Sequence, residues 1–217
     1  MKRILIVKTT SMGDVIHALP VLNDIHAHNP NVQIDWMVEE PFADLVRGNR
    51  HVNEVVSVDL RKWRKLGIGH TWRQWKQLKA QLADREYDAV IDLQGLLKSA
   101  LLACAARGTR MGPGFSYARE SVASLFYRKR AGWDPQAHAV ERLRELAADL
   151  LNYRLTGKPV FYDIRPRKVL AAIPRGTEIW FLHATARDEK KMARGEMART
   201  GASLFRPGLR HQIALGQ

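Results

Sequence analysis

The N-terminal half of the chain alternates short apolar runs with segments in which apolar residues are spaced as on one face of a helix. The run 4–7 has the pattern of a buried strand, and residues 8–14 then form a polar turn. Apolar residues recur at helical spacing over 15–25, which predicts a helix that begins at or near Asp14. Gly13 favours a tight turn before this helix, because glycine permits backbone conformations that other residues do not.

The same alternation of strand and helix patterns continues to about residue 151. Asn29 and Pro30 end the first helix, and Pro41 can start a short one. Strands are predicted at 32–38, 52–60, 87–93 and, as a short one, 111–115, and helices at 71–85, 96–107 and 137–151. Alternation of this kind favours a parallel sheet covered on both faces, a doubly wound α/β domain.

The pattern weakens in the C-terminal third, where three prolines interrupt it between residues 153 and 176. A strand pattern resumes at 178–182 and indicates the opening of a second domain. The last residues are basic and show no sustained period. The predicted organisation is a domain over 1–153, a linker over 154–176, the start of a second domain over 177–190 and an irregular basic tail over 191–217.

Composition excludes several classes of protein. With 46% hydrophobic residues in 217, the chain can bury a sizeable core. Cys104 is the single cysteine and lies in an apolar run, so we expect a buried thiol and neither a disulfide nor a thiolate metal cluster. No stretch approaches the ~20 apolar residues of a membrane span, and no signal-peptide pattern is present, so a soluble cytoplasmic protein is expected.

The formal net charge of +13 predicts an acidic partner. Nucleic acid, anionic lipid headgroups and a phosphorylated substrate all satisfy that requirement, and charge alone does not choose among them. Nucleic acid is the least favoured, because Trp63 is the one clear aromatic residue placed among clustered cations.

Recognised nucleotide and metal motifs are absent from the sequence. Neither a Walker-type loop nor Gly-x-Gly-x-x-Gly follows the first strand. The eight histidines are scattered, and His26 and His28 would point to different faces of a helix. Chemistry that needs no metal is therefore the better prediction.

Two groups of residues remain as candidates for chemistry. Asp14 is either an ordinary helix-capping carboxylate or a general base acting on an acceptor hydroxyl, since the helix dipole favours its ionised form. Four cations, Arg61, Lys62, Arg64 and Lys65, follow the third strand. They either bind phosphate and carboxylate groups or form a solvated charged face, and the sequence leaves both interpretations open.

A series of motifs runs along the chain in a fixed order. They are KTTSMGDVIHALP at 8–20, IDWMVEE at 34–40, RKWRK at 61–65, YDAVIDLQGLLKSA at 87–100, ARE at 118–120, ASLFY at 123–127, HAVER at 138–142 and FLHATARDEK at 181–190. Taken together, these segments resemble the bacterial lipopolysaccharide heptosyltransferases, and most closely the heptosyltransferase I group. The resemblance covers residues 1 to about 190.

The resemblance implies a GT-B fold, in which two Rossmann-like domains enclose a cleft, with the second domain only begun in this chain. It implies transfer of L-glycero-D-manno-heptose from the donor ADP-heptose to a Kdo sugar of Kdo2-lipid A, with inversion and without metal or cofactor. The expected protein is a monomer, peripheral to the cytoplasmic face of the inner membrane, whose anionic surface is a further partner. Nucleic acid is not expected to bind.

The resemblance also assigns roles to individual residues. Asp14 becomes the candidate general base, and Thr185 and Lys190 would bind the donor diphosphate. The candidate acceptor-binding residues are Ser11, Met12, Arg61, Lys62, Arg64, Lys65, Arg119 and His138.

The sequence departs from the family pattern after Lys190, where relatives continue with further domain structure. We therefore expect a truncated or frameshifted reading frame, with weak or no transfer by the 217-residue chain. The alternative is a non-catalytic basic module that binds an anionic glycolipid or nucleic acid.

Overall fold

The computed structural model describes residues 1–155 and 159–164, together with the backbone of 178–180 and 210–212. It divides into two compact units, Met1–Arg167 and Lys168–Gln217. Within the second unit, strand β7 (Glu178–Trp180) pairs in parallel with strand β8 (Arg210–Gln212). The predicted site residues Thr185 and Lys190 lie outside the described residues, as does most of the predicted tail.

The first unit is built on a six-stranded sheet in which every neighbouring pair of strands is parallel. Its strands are β1 (Arg3–Val7), β2 (Gln33–Glu39), β3 (Val52–Val58), β4 (Glu86–Asp92), β5 (Arg107–Pro113) and β6 (Lys129–Ala131). Their order across the sheet is β3-β2-β1-β4-β5-β6. Strand order reverses between β1 and β4, and the crevice beyond their carboxyl ends is where such folds bind ligands. The predicted doubly wound, Rossmann-like fold is confirmed.

Helices cover both faces of this sheet. They are α1 (Met12–Ala18), α2 (Pro20–His28), α3 (Ala43–Arg47), α4 (Leu60–Lys65), α5 (Ile68–Gln81), α6 (Leu97–Ala103) and α7 (Ala139–Leu151), with 3-10 turns at Glu40–Phe42 and Ser121–Phe126. Ile4 and Ile6 of β1 pack into one core, with α1, α2, α3 and α7. Leu5 and Val7 pack into the other, with α4, α5 and α6. Burial on both faces explains why residues 4–7 of the central strand are all apolar.

The first predicted helix is two helices, and it begins earlier than expected. The N-cap is Ser11, so Asp14 is the third residue of α1 instead of its cap. The chain then turns at Leu19, and Pro20 becomes the first residue of α2. Proline is favoured there because the missing N–H belongs to the first helical turn, where no partner within the helix exists.

The segment after the third strand also differs from the sequence prediction. The strand ends at Val58 instead of continuing to residue 60. Asp59 ends it by capping α4, since its carboxylate accepts a hydrogen bond from the backbone N–H of Lys62 at 2.9 Å. The cations of the basic cluster therefore lie on a helix, and Trp63 between them is buried.

The predicted helix over 96–107 and the short strand over 111–115 were both misplaced. The helix ends at Ala103, and β5 begins at Arg107 and runs for seven residues. Gly108 permits this, because a Cβ at that position would lie 2.4 Å from the carbonyl oxygen of Tyr87 on β4. The close backbone approach and the positive φ of Gly108, +155°, together explain why this strand contains a glycine.

Part of the predicted linker packs on the first unit. Asn23 donates a hydrogen bond to the carbonyl oxygen of Phe161 at 2.6 Å, and Asn49 donates one to that of Tyr162 at 3.1 Å. Arg50 binds the carboxylate of Asp163 through its backbone N–H and its guanidinium. Residues 159–164 are therefore part of the first unit.

Two further predictions concerned the cysteine and membrane-spanning helices. Cys104 is half-buried instead of fully buried, and burial raises the pKa of its thiol. Among the described residues, no helix combines the length and the apolar character that a membrane crossing requires.

Candidate active site

The polar turn after β1 is held in place from the neighbouring strand β4. Lys8 is buried, and its Nζ donates a hydrogen bond to the carbonyl oxygen of Leu93 at 3.1 Å. Burial lowers the pKa of Lys8, although the negative charges of Asp14 and Asp92 oppose the shift. The buried Lys8 side chain thus links this turn to the residue that follows β4.

Gln94 fixes the middle of the same turn. Its Oε1 accepts hydrogen bonds from the backbone N–H of Thr9 at 2.8 Å, from the hydroxyl of Thr9 at 2.8 Å and from the N–H of Thr10 at 3.3 Å. Its Nε2 donates to the hydroxyl of Thr10 at 3.0 Å. One buried amide therefore satisfies most of the polar groups that precede Ser11.

Gln94 is itself held by a buried carboxylate. Asp92 accepts from the backbone N–H groups of Gln94 at 2.7 Å and Gly95 at 3.2 Å, and from the Tyr127 hydroxyl at 2.7 Å. Burial raises the pKa of Asp92. Gly95 has φ +67°, and a Cβ there would approach Pro113 Cγ to 2.9 Å, so the turn after β4 requires glycine.

Asp14 faces this turn from the first turn of α1. Its Oδ2 accepts hydrogen bonds from the backbone N–H of Ser11 at 3.0 Å and from the Ser11 hydroxyl at 2.8 Å. Within the described part of the chain, Oδ1 has no hydrogen-bond donor, so it can accept a proton or a hydrogen bond from a ligand.

The electrostatic surroundings keep Asp14 ionised. Partial burial alone would raise the pKa of its carboxyl, but the two hydrogen bonds from Ser11 and the positive charges of Lys8 and Arg119 outweigh it. The net effect lowers the pKa below the usual value for aspartate. Asp14 is therefore both the third helical residue, whose carboxylate binds the N-cap residue Ser11, and a negatively charged acceptor at neutral pH.

A cavity of about 130 Å³ opens beside Asp14. Its polar lining consists of Lys8, Asp14, His17, Gln94, Arg119 and Arg142. Tyr117 and Trp133 form an apolar wall, with their rings edge to face and centroids 5.2 Å apart. One carboxylate and three cations around an aromatic wall suit a polyhydroxylated anion such as an acidic sugar.

The sequence-predicted acceptor residues fall into two groups. Ser11 and Met12 are exposed on the turn itself, and Arg119 lines the cavity. The His138 ring centroid lies 5.8 Å from that of His17, which lines the cavity. The Nδ1 of His138 accepts a hydrogen bond from the Val140 backbone N–H at 3.3 Å, so this residue caps α7 beside the site.

The basic cluster lies elsewhere on the same edge of the sheet. Arg61, Lys62, Arg64 and Lys65 are exposed on α4, beyond the end of β3, and none of them lines the Asp14 cavity. Lys62 borders a separate cavity of about 240 Å³. The structure therefore does not bring the cluster into direct contact with Asp14.

Glu39 and Lys98 connect the two groups. Glu39 ends β2, and burial raises the pKa of its carboxyl, an effect that the positive charges of Lys98 and Arg61 partly offset. The Nζ of Lys98 lies 4.0 Å from Glu39 Oε1 and 3.4 Å from the Thr10 hydroxyl. Lys98 thus links the end of β2 to the turn before Asp14, and the charge of Arg61 on α4 also acts on Glu39.

Lys8 and Gln94 were not identified as site residues from the sequence, although both stand directly after predicted strands. A lysine at a strand end resembles any surface lysine until the sheet order brings Leu93 beside it. Among the described residues, no group of three or more His, Cys, Asp and Glu side chains is placed to hold a metal ion.

Comparison with known proteins identifies the family. The profile of glycosyltransferase family 9 (heptosyltransferase) matches residues 75–196. The chain belongs to this family. The family membership that the sequence motifs predicted is thereby confirmed.

Relatives within glycosyltransferase family 9 include lipopolysaccharide heptosyltransferase 1 of Escherichia coli strain K12, which is 43% identical over 192 residues. That alignment covers 87% of this chain and 60% of the relative. The enzyme of the same name from Salmonella typhimurium is 38% identical over 218 residues, covering 99% of this chain and 68% of the relative. The chain thus spans about 60% of the length of the E. coli relative.

Solved structures of the family have the same fold. The E. coli heptosyltransferase WaaC with ADP superposes with a TM-score of 0.87 at 38% identity, covering 99% of this chain and 68% of that one. The same enzyme with ADP-2-deoxy-2-fluoro heptose gives a TM-score of 0.86, also at 38% identity, with coverages of 99% and 69%.

Proposed function

We propose that this chain forms the acceptor-binding half of an inverting lipopolysaccharide heptosyltransferase that needs neither metal nor cofactor. The donor is ADP-heptose, the sugar transferred is L-glycero-D-manno-heptose, and the acceptor is a Kdo hydroxyl of Kdo2-lipid A. The observation that carries the proposal is the ionised Asp14 at the edge of a cavity that also contains Lys8, Arg119 and Arg142. The relatives named heptosyltransferase 1 and the WaaC structures with ADP and an ADP-heptose analogue support it.

The proposed reaction uses Asp14 as the general base. Asp14 Oδ1 accepts the proton of the Kdo hydroxyl as that oxygen attacks the anomeric carbon of the heptose. The bond from the anomeric carbon to the ADP phosphate oxygen breaks on the opposite face, and ADP leaves with the electron pair. Attack and departure on opposite faces invert the anomeric centre.

Charged side chains would orient the two substrates. Arg119 and Arg142 would bind the Kdo carboxylate next to Asp14. Phosphates farther out on the acceptor would be bound by the cations of α4, Arg61, Lys62, Arg64 and Lys65. Ser11, Met12 and His138 remain proposed acceptor-binding residues. Thr185 and Lys190 remain the proposed ligands of the donor diphosphate, where cations would stabilise the leaving group. The protein would work as a monomer at the cytoplasmic face of the inner membrane.

The test separates acceptor binding from transfer. The 217-residue chain should bind Kdo2-lipid A. A chimera in which residues 1–164 precede the C-terminal domain of the E. coli relative should release ADP when given ADP-heptose and Kdo2-lipid A, with the E. coli enzyme as reference. A folded chimera that binds the acceptor without turnover would favour the non-catalytic basic module and would refute the proposed activity.

A further inference from the structure

An open apolar cleft lies between α4, α5 and α6, on the face of the sheet opposite to the Asp14 helix. Its volume is about 360 Å³, and its lining includes Leu60, Trp63, Ile68, Trp72, Trp75 and Leu101. Ile68 is 91% exposed, Trp72 59% and Leu101 44%. Leu66, which is 53% exposed, lies beside it in the short connection between α4 and α5. Large apolar side chains grouped at this exposure mark an interaction surface.

The charge around this cleft is of one sign. Residues 60–82 contain seven Lys and Arg and no Asp or Glu. The seven side chains are all exposed, and they are Arg61, Lys62, Arg64, Lys65, Arg73, Lys76 and Lys79. Tryptophan with cations around an apolar centre is the composition of segments that lie in the interface of anionic membranes.

The cleft is next to the polar turn at residues 8–14. Lys98 lines the cleft, and its Nζ also lies 3.4 Å from the hydroxyl of Thr10. Thr10 precedes Ser11, whose hydroxyl donates to Asp14 at 2.8 Å. A surface seated on the cleft would therefore lie close to the entrance of the Asp14 cavity.

We propose that this cleft and its cations dock the protein on an anionic phospholipid bilayer. Ile68 and Trp72 enter the headgroup region, and the Lys and Arg side chains contact lipid phosphates. The inference rests on the proposed function to the extent that such docking would bring a membrane-embedded acceptor to Asp14. Cations close to an anionic surface add to one another, so several of them with two apolar anchors give stable but reversible binding.

The experiment is co-sedimentation of the 217-residue chain with vesicles of phosphatidylcholine, with and without phosphatidylglycerol as the anionic lipid. The chain should sediment with the anionic vesicles and not with the neutral ones. The double variant Ile68→Ser, Trp72→Ser should lose at least tenfold in apparent affinity. Val122→Ser, Leu125→Ser is the matched control, because Leu125 is 65% exposed and Val122 45% at a separate site.

Other occupants of the cleft would give different results. Equal sedimentation of the cleft and control variants would overturn the proposal. So would self-association of the unmodified chain that the cleft variant abolishes, which would identify a second copy of the chain. Binding of duplex DNA more tightly than anionic vesicles at physiological salt would also overturn it.

A failure of docking can be distinguished from a failure of the proposed function. Transfer by the chimera to a deacylated, water-soluble Kdo acceptor requires no bilayer. The cleft variant placed in that chimera should keep full activity on the soluble acceptor and lose activity on Kdo2-lipid A embedded in vesicles. Loss of both activities, in a variant that folds, would contradict a membrane-docking role.

Discussion

At the scale of single residues, Asp14 shows how one carboxylate can satisfy a structural and a chemical interpretation together. One oxygen, Oδ2, accepts both hydrogen bonds from Ser11, the other has no donor among the described residues, and the residue lines the cavity. The sequence alone presented capping and catalysis as alternatives, because it did not show that the two carboxylate oxygens have separate surroundings.

Substitution of Asp14 by Asn separates the two roles. Asparagine can still accept from Ser11, so α1 should form normally, but it cannot take a proton. We expect transfer by the chimera to fall by about 10²- to 10⁴-fold, with Kdo2-lipid A binding retained. Asp44→Asn is the matched control, since Asp44 also lies in the first turn of a helix. Turnover of Asp14→Asn near the unmodified level would refute the assignment of the base.

The pH dependence of transfer should report the charges around Asp14. Transfer needs the ionised carboxylate, so the rate falls on the acid side as pH drops through its lowered pKa. The positive charge of Arg119 contributes to lowering that pKa, so Arg119→Gln should raise it and move the acid limb of kcat to higher pH.

Two control variants make this measurement specific. Arg119→Lys keeps the charge and should leave the acid limb of kcat in place, and so should Arg128→Gln. If Arg119→Gln raises KM but leaves the acid limb where it was, Arg119 binds the acceptor without setting the pKa of Asp14.

At the scale of elements, the positions of strands and helices were largely predictable, whereas several of their ends were not. The apolar run over residues 4–7 indicated a buried strand, and the sheet confirms it, because these residues of β1 are buried on both faces. The break at Leu19 follows from Pro20 at the start of α2, whereas the early start of β5 depends on a tertiary contact. Gly108, for example, looks like a strand breaker until it is seen against the Tyr87 carbonyl.

The prediction at the scale of elements concerns Gln94, which joins the turn after β4 to the turn after β1. Gln94→Leu has a similar size but leaves the polar groups of Thr9 and Thr10 without partners in a buried site. We expect the free energy of unfolding, from urea titration, to fall by about 2–4 kcal/mol. Gln94→Glu keeps the acceptor oxygen and should lose less. Equal losses for the two variants would mean that Gln94 stabilises the turn by packing and not by its hydrogen bonds.

At the scale of the whole molecule, strand order determines the candidate site. Reversal of the order between β1 and β4 brings residues 8–14 beside 92–95, although some 80 residues separate them in the chain. Alternating strands and helices predicted the class of fold. They did not give the order of the strands, so the burial of Lys8 against Leu93 could not be anticipated.

The return of residues 159–164 to the first unit is a second whole-molecule feature that patterning did not reveal, since prolines and weak periodicity suggested a linker there. The side chain of Asp163 is 4% exposed and binds both the backbone N–H and the guanidinium of Arg50. Asp163→Ala should release this segment, so limited proteolysis should cut within 156–164 several-fold faster while α7 stays protected from amide exchange. Asp163→Asn retains an acceptor for the Arg50 N–H and should be cut at an intermediate rate. Unchanged cleavage in both variants would mean that Asn23 and Asn49 hold the segment without the carboxylate.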